Sequence, residues 1–356
     1  MIKKRIEKLQ KSLKNDEAFI VYYGPNRFYL TGFNSSAGVV LITRNSADFI
    51  IDFRYFEKAK RLVKSCNVIL SNKVFEQLND ILAAQKIKVI YTEVSTISMG
   101  EFFALKENLK GVKISDDGNI EKLLKSCRAV KSEAELAVMR QAQELTDEAF
   151  DYILDYIRVG KTEKAIALEL EFYMRRHGSE GVAFDSIVVS GENSSLPHGT
   201  PTDRVIRNGD FITMDFGARI DGYCADMTRT VAIGDVSDKQ KLVYDTVLKA
   251  QLEALKQIRA GAVCKDMDKI ARDIIENAGF KGCFGHALGH SLGIEVHESP
   301  AFNTRDNTIL ESGMVLSVEP GIYLENECGV RIEDVIAVTD SGCEIFTKSA
   351  KELIVL

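Results

Sequence analysis

Apolar positions in the first third of the chain fall in short runs: AFIVYY (18–23), GVVLIT (38–43), DFIIDF (48–53), NVIL (67–70) and KVIYT (88–92). Each run predicts a strand. Residues 55–65, 74–85 and 99–109 instead repeat apolar positions at helical spacing, and MIKKRIEKLQKSLK at the start reads as a charged amphipathic helix. Alternating strands and helices describe an α/β domain. A polar turn, SDDGN (115–119), follows, and Ser132 with Glu135 three residues on has the form of a capping box opening a helix. Leu136, Met139, Leu145, Ala149, Ile153 and Ile157 then recur at helical intervals, so this helix lays one face on a core. The boundary is expected near 120–130, giving domains 1–124 and 125–356.

The second domain contains an internal repeat. RVIRNGDFITMDFGARIDG (204–222) resembles NTILESGMVLSVEPGIYLE (307–325) at an offset of 104, aligning Gly209 with Gly313, Ile212 with Leu316, Asp215 with Glu319 and Gly217 with Gly321. Upstream, IRVGKTEKAIALELEFYMRRHG (157–178) resembles IRAGAVCKDMDKIARDIIENAG (258–279) at an offset of 101. Two helix-helix-strand units of about 100 residues, related by an approximate two-fold axis, are expected to add one hairpin each to a shared sheet.

The first hairpin can be placed from its turn. Asp221-Gly222 suits a two-residue turn needing positive φ, which pairs Ile220 with Tyr223 and sets Asp215 opposite Thr228. Asp226, two residues before Thr228, then faces the same side as a diagonal neighbour of Asp215. Carboxylates so close repel unless they surround a cation, a shared proton or a basic partner. The second hairpin supplies a matching acidic pair, Glu319 in LSVEPG and Glu333 in VRIEDV. Four carboxylates converging with one imidazole describe a binuclear site for Mn²⁺ or Co²⁺, with Fe²⁺ or Zn²⁺ as further candidates.

Three of the five histidines fall in GHALGHSLGIEVHE (285–298). His286 and His290 are four apart, but Gly285, Gly289 and Gly293 make a helix improbable. The segment after Gly293 alternates as a strand would, with His297 opposite Val296. One histidine ligand and two flanking proton donors fit this pattern. Arg331, two residues before Glu333 on the same strand face, can orient that carboxylate, and Thr228 is placed to hydrogen-bond Asp215. His177, before a glycine in RRHG, reads as a helix C-terminal residue, and Asp334 should point away from Glu333.

Composition narrows the function classes. The 356 residues, 45% of them apolar, can bury a large core. A net charge of −6 with dispersed Lys and Arg provides no basic stripe for nucleic acid. No stretch reaches the roughly 18 apolar residues of a membrane span, and the start lacks a signal peptide's apolar run, so a cytoplasmic protein is expected. Seven scattered cysteines, an odd number without a C-x-x-C pair, predict reduced thiols and no thiolate metal site. Gly160-Lys161-Thr162 has the end of a phosphate loop, but Asp155 stands where glycine is required, which excludes nucleotide binding.

SLPHGTPTDRVIRNGDFITMDFGA, GYCADMTRT, GHALGHSLGIEVHE, SVEPGIY and GVRIEDV together resemble the metallopeptidase family of creatinase and methionine aminopeptidase. Within it the chain is similar to the proline-specific branch of prolidase and aminopeptidase P. The resemblance implies an α+β chain in which a C-terminal pita-bread domain with pseudo-two-fold symmetry follows a creatinase-like α/β domain; NRFYLTGF (26–33) belongs to the resemblance in that first domain. It further implies two divalent ions per subunit, with Asp215 and Asp226 on one, His290 on the other, and Glu319 and Glu333 completing or bridging the pair. By the same resemblance, Glu319 moves the proton between an activated, metal-bridging water and the leaving nitrogen. His198 and His297 are expected to hydrogen-bond the carbonyl or oxyanion, His286 to belong to the catalytic pocket, and Tyr223 to the substrate surroundings.

Many relatives have Gly-His-Gly where this chain has Gly285-His286-Ala287, a methyl that narrows the cleft. The implied substrates are Xaa-Pro peptides and the implied assembly is a homodimer, with NRFYLTGF near the partner's cleft. Two alternatives compete: a creatinase-like C–N hydrolase working without metal, disfavoured by the full ligand set, and a non-catalytic peptide-binding module.

Overall fold

The apolar runs at the start of the chain become strands of one mixed sheet in the computed structural model, which describes residues 2–356. In chain order this unit contains α1 (Ile2–Ser12), β1 (Glu17–Val21), α2 (Gly24–Thr31), β2 (Val39–Thr43), β3 (Ala47–Ile51), α3 (Phe53–Leu62), β4 (Asn67–Leu70), α4 (Val74–Ala84), β5 (Val89–Tyr91), α5 (Met99–Asn108), β6 (Lys113–Ser115) and α6 (Asn119–Ala129). Met1 of the opening segment lies outside the described residues. The strand order is β4-β3-β2-β1-β5-β6, antiparallel across β1, β2 and β3 and parallel elsewhere. All five residues of β1, β2 and β3 are buried, so the sequence there runs apolar without alternating. On one face Leu78, Leu82 and Leu105 of α4 and α5 pack against Ala18, Ile20, Leu41 and Ile50.

NRFYLTGF lies largely in α2, which helical periodicity does not announce. Pro25 opens it and Gly32, at φ 68°, closes it, while Asn26, Arg27, Tyr29, Leu30 and Thr31 are buried. These five side chains pack into their own unit. The chain divides between Arg128 and Ala129. A boundary at 124 would cut α6.

The second unit runs α7 (Glu133–Tyr156), α8 (Glu163–Arg176), β7 (Gly181–Val182), β8 (Ile187–Ser190), β9 (Phe211–Phe216), β10 (Ala218–Ile220), β11 (Tyr223–Cys224), β12 (Met227–Ala232), α9 (Asp238–Leu255), α10 (Cys264–Ile275), β13 (Gly289–Ser291), β14 (Glu298–Phe302), β15 (Val315–Val318), β16 (Gly321–Leu324), β17 (Cys328–Arg331), β18 (Asp334–Val338) and β19 (Cys343–Ile345). The Glu135 carboxylate accepts from the backbone N–H and hydroxyl of Ser132, closing the capping box of α7. Among the described residues no helix is long and apolar enough to cross a membrane.

The repeat is present in three dimensions. Gly160 and Gly261, Gly178 and Gly279, and Gly209 and Gly313 all have positive φ, and the isolated bridge of Thr162 with Val205 recurs as Val263 with Ile309. α7 and α8 cover one apolar cluster with Met214, Phe216 and Met227, while α9 and α10 cover another with Leu316, Val318 and Ile336. The hairpin turn has φ 45° at Asp221 and 78° at Gly222, and its register sets Asp215 opposite Thr228.

Two expectations need correction. The hairpins do not share one sheet: β12-β9-β8 and β14-β13-β15-β18-β19 are separate, joined where Glu333 N–H donates to the Thr228 carbonyl. Nor are the acidic pairs equivalent. Val318 pairs with Asp334, which puts Glu319 beside Glu333 as Asp215 is beside Thr228. The repeat therefore matches Glu333 to Thr228, and Arg331 to Asp226.

Close backbone approach fixes where β13 lies. A Cβ on Gly289 would meet the Ser317 carbonyl oxygen at 2.0 Å, whereas one on Gly285 would meet nothing within 4 Å. Gly289→Ala should therefore destabilise the chain by about 2–3 kcal/mol or more, because a backbone oxygen cannot move aside. Gly285→Ala should stay within about 0.5 kcal/mol. Urea unfolding of the two variants checks this, and equal midpoints would contradict it.

Candidate metal centre

Nine of the sequence-predicted residues line one cavity of about 460 Å³: His198, Asp215, Asp226, His286, His290, His297, Glu319, Arg331 and Glu333. Phe184, Ile187, Pro197, Ala287, Val296 and Ala301 form its apolar wall. Asp215 reaches it from β9, Asp226 from the break before β12, and His290 from β13. Glu319 follows β15, and Glu333 lies in the break before β18. Strand ends from both repeats thus project their polar side chains into the same space.

Asp226, His290 and Glu333 form a group of metal-ligating type, with donor atoms within 4.8 Å of one another. His290 Nε2 lies 3.6 Å from Asp226 Oδ2 and 3.3 Å from Glu319 Oε1. Burial lowers the His290 pKa, so these contacts involve a neutral imidazole and do not offset the carboxylates. Among the lining residues Arg331 is the one permanent cation. Burial opposes its charge, but Tyr323, Asp215 and Glu319 outweigh that and hold it protonated.

Four carboxylates around one guanidinium leave an excess of negative charge. Burial, reinforced by the neighbouring Glu333, Asp215 and Glu319, raises Asp226 well above the usual range; burial with Glu319 and Asp215 does the same to Glu333. Burial also pushes Glu319 up to about 7, against the pull of Arg331. Two unit charges 4.8 Å apart repel by about 3 kcal/mol even at an effective dielectric near 20. Asp215 Oδ1 and Glu333 Oε1 are buried without a hydrogen-bond partner among the described residues. Unpaired buried oxygens beside a neutral imidazole, with no thiolate near, fit divalent cations as the missing partners.

The supporting contacts differ from expectation. Arg331 Nη2 donates to Asp215 Oδ2 at 2.6 Å, and the carboxylate it was expected to orient, Glu333, accepts instead from the Thr228 hydroxyl at 2.7 Å. The same-face argument assumed an unbroken strand, but the chain leaves strand geometry at Ile332 and Glu333. Tyr223 does not line the cavity; its hydroxyl donates to Glu135 at 2.9 Å. Residues 293–297 are a bend, because the Glu298 carboxylate accepts from the N–H groups of Ile294 and Glu295. Val296 and His297 consequently both line the cavity, and the His297 ring lies 4.4 Å from that of His290.

Tyr323 is a residue that periodicity did not single out. Its hydroxyl accepts from Arg331 Nη1 at 2.8 Å and lies 2.8 Å from His286 Nε2. Burial, with Arg331, lowers His286 to about 4, so its ring is neutral. With Nδ1 against the Ala287 carbonyl, Nδ1 carries the proton and Nε2 accepts from Tyr323. Both ring nitrogens are thus engaged, and His286 backs the chain of contacts running through Tyr323 and Arg331 to Asp215. The signal was in SVEPGIY: a Cβ on Gly321 would lie 2.5 Å from the Tyr323 hydroxyl, so the glycine makes room for that ring. His177 caps α8, and Asp334 pairs with Arg229 and Lys351 away from the cavity.

The model of metallopeptidase family M24 matches residues 137–340, and that of the creatinase/prolidase N-terminal domain matches residues 5–130. An uncharacterized peptidase of Bacillus subtilis is 41% identical over 344 residues, 96% of each chain. The solved Xaa-Pro dipeptidase from Bacillus anthracis superposes with a TM-score of 0.95 at 39% identity, covering 100% of both chains. The X-Pro aminopeptidase from Thermotoga maritima reaches 0.91 at 38%, covering 98% of this chain and 100% of its own.

The carboxyl shifts predict how the metal-free chain responds to pH. A carboxyl whose folded pKa is raised contributes stability that is complete below its unfolded value and is lost as pH climbs through the folded one, for Glu319 between 4.5 and about 7. His286, His290 and His297, all lowered by burial, act oppositely but only below their ordinary 6.5. Between pH 6.5 and 8.5 the chelated protein should therefore lose roughly 2–4 °C of Tm, and Mn²⁺ should restore it. Calorimetry in chelator with and without the ion checks this; a flat or rising Tm would contradict it.

Proposed function

The chain belongs to metallopeptidase family M24, and from that membership we propose that it cleaves the bond between an N-terminal residue and proline, with two divalent ions held by Asp215, Asp226, His290, Glu319 and Glu333. The observation that carries this reading is the convergence of four carboxylates and a neutral imidazole in one cavity, with two carboxylate oxygens lacking a hydrogen-bond partner among the described residues. An all-oxygen and nitrogen donor set favours Mn²⁺ or Co²⁺, with Zn²⁺ and Fe²⁺ as weaker fits. Ions bound there supply acidification of a water and polarisation of the scissile carbonyl.

The chain's own groups do the rest. Glu319 is the group placed to take a proton and return it to the leaving nitrogen, and the Ser317 hydroxyl donating to its Oε1 at 3.1 Å fixes its orientation. His297 is lowered by burial, so its neutral ring retains one N–H to donate to the carbonyl oxygen. His198 lines the cavity from an exposed position, where it can donate to the same oxygen. Arg331, through its bond to Asp215, and Thr228, through its bond to Glu333, hold the ligand carboxylates in place.

Recognition of proline must rely on shape, because the bond before it has no N–H to read. Phe184, Ile187, Pro197, Val296 and Ala301 offer an apolar wall of that kind. The solved neighbours, an Xaa-Pro dipeptidase and an X-Pro aminopeptidase, support the same bond. A homodimer belongs to this reading, with Phe53, 84% exposed on the first unit, as a side chain that a subunit contact would cover.

Chelated enzyme should be inactive, and Mn²⁺ or Co²⁺ should restore hydrolysis of Xaa-Pro but not Xaa-Ala substrates. Parallel rates on Xaa-Pro dipeptides and longer Xaa-Pro peptides then define the length accepted. Asp226→Asn should lower kcat more than about 10²-fold. Full activity in chelator, or equal rates on Xaa-Ala, would overturn the proposal.

A further inference from the structure

Among the polar side chains around the cavity, His198 sits on a long connection between strands. It lies between β8, ending at Ser190, and β9, beginning at Phe211, and it makes no hydrogen bond of its own among the described residues. Its placement is therefore the placement of the loop backbone, and a loop without anchors would leave it mobile.

Glu163, at the first position of α8, is fully buried and has no lysine or arginine partner among the described residues. Its carboxylate accepts instead from five donors, all on the segment that carries His198. Oε1 receives the Ser190 backbone N–H at 2.7 Å and its hydroxyl at 2.8 Å; Oε2 receives the Thr202 N–H at 2.9 Å and its hydroxyl at 2.6 Å. The Asn193 amide donates across both oxygens. The two ends of residues 190–202 are thereby held together by one side chain. Further along, the Ser194 hydroxyl accepts from Gly329 N–H at 2.8 Å, and the Pro197 carbonyl accepts from Arg331 Nη1 at 3.2 Å. The tip thus rests on the site while its base rests on Glu163.

We propose that Glu163 is a positioning residue for the hydrolysis: its carboxylate clamps the 190–202 loop so that His198 faces the reacting carbonyl. This rests on the role given to His198 above. Five donors facing inward require an acceptor at both oxygens, which an amide cannot be. Glu163→Gln keeps the shape but turns an N–H₂ group toward donors, so the loop loosens without a cavity being opened.

The test is a cycle of Glu163→Gln and His198→Ala on the Mn²⁺-loaded full chain, with Xaa-Pro dipeptide as substrate. His198→Ala should lower kcat by about 10²-fold, the effect of losing one donor to a developing oxyanion. Glu163→Gln should lower kcat by about 10-fold or more, with KM and calorimetric Mn²⁺ affinity within about twofold of the parent. In the His198→Ala background it should change kcat less than about twofold, because the group it positions is gone. If Glu163→Gln does not fold, Thr202→Val, which removes one donor at an exposed position, is read by the same cycle. Equal effects in both backgrounds, or no effect in the parent, would overturn the clamp while leaving His198 in its role. An inactive-site reading is told apart by His198→Ala itself: if that variant keeps full kcat, the role of His198 fails and the clamp with it.

Discussion

Four carboxylates held out of water around one guanidinium are the constraint on which the second unit depends. Arg331 meets one of them, at Asp215 Oδ2, and hydroxyls from Thr228 and Ser317 meet Glu333 and Glu319. None of these contacts removes the excess charge, and the burial that raises Asp226, Glu319 and Glu333 cannot be relaxed without dismantling the strands that present them. Divalent cations resolve the conflict, and the same ions then bring the chemistry. Stability and activity in this family member therefore share one cause.

The scaffold achieves the convergence by repeating itself imperfectly. Each half contributes two helices and a hairpin whose strand ends point inward, and matched positive-φ glycines mark the common backbone path. Side chains at matched positions differ, however. Where the first hairpin has Thr228 the second has Glu333, and those two bond to each other; where the first has Asp226 the second has Arg331. A symmetric site built on the acidic member of each matched pair would have carried six carboxylates and neither the Thr228 hydroxyl nor the Arg331 guanidinium that restrain them.

Much of this was legible in the residues. The Asp221-Gly222 turn fixed the register of the first hairpin, and with it the face that Asp215 and Asp226 share, because two-residue turns leave little freedom. The apolar runs located β1, β2 and β3 because those strands are buried on both faces. Long-range partners were not legible: nothing in the spacing of Arg331 says that the strand breaks at Ile332, so its bond to Asp215 could not be read in advance. Glu298 bends 293–297 through side-chain to backbone bonds that periodicity does not register, which is why a strand was expected there. Glu163 and Tyr323 escaped for the same reason, since each acts through a contact distant in sequence.

The central claim is that the carboxylate cluster encloses two cations, and anomalous diffraction from crystals grown with Mn²⁺ addresses it without reference to turnover. The account predicts two anomalous peaks inside the cavity, each about 2.0–2.3 Å from oxygens of the four carboxylates and one of them bonded to the His290 ring. A cavity without an anomalous peak, or ions bound only at surface acids away from Asp226 and Glu333, would contradict it.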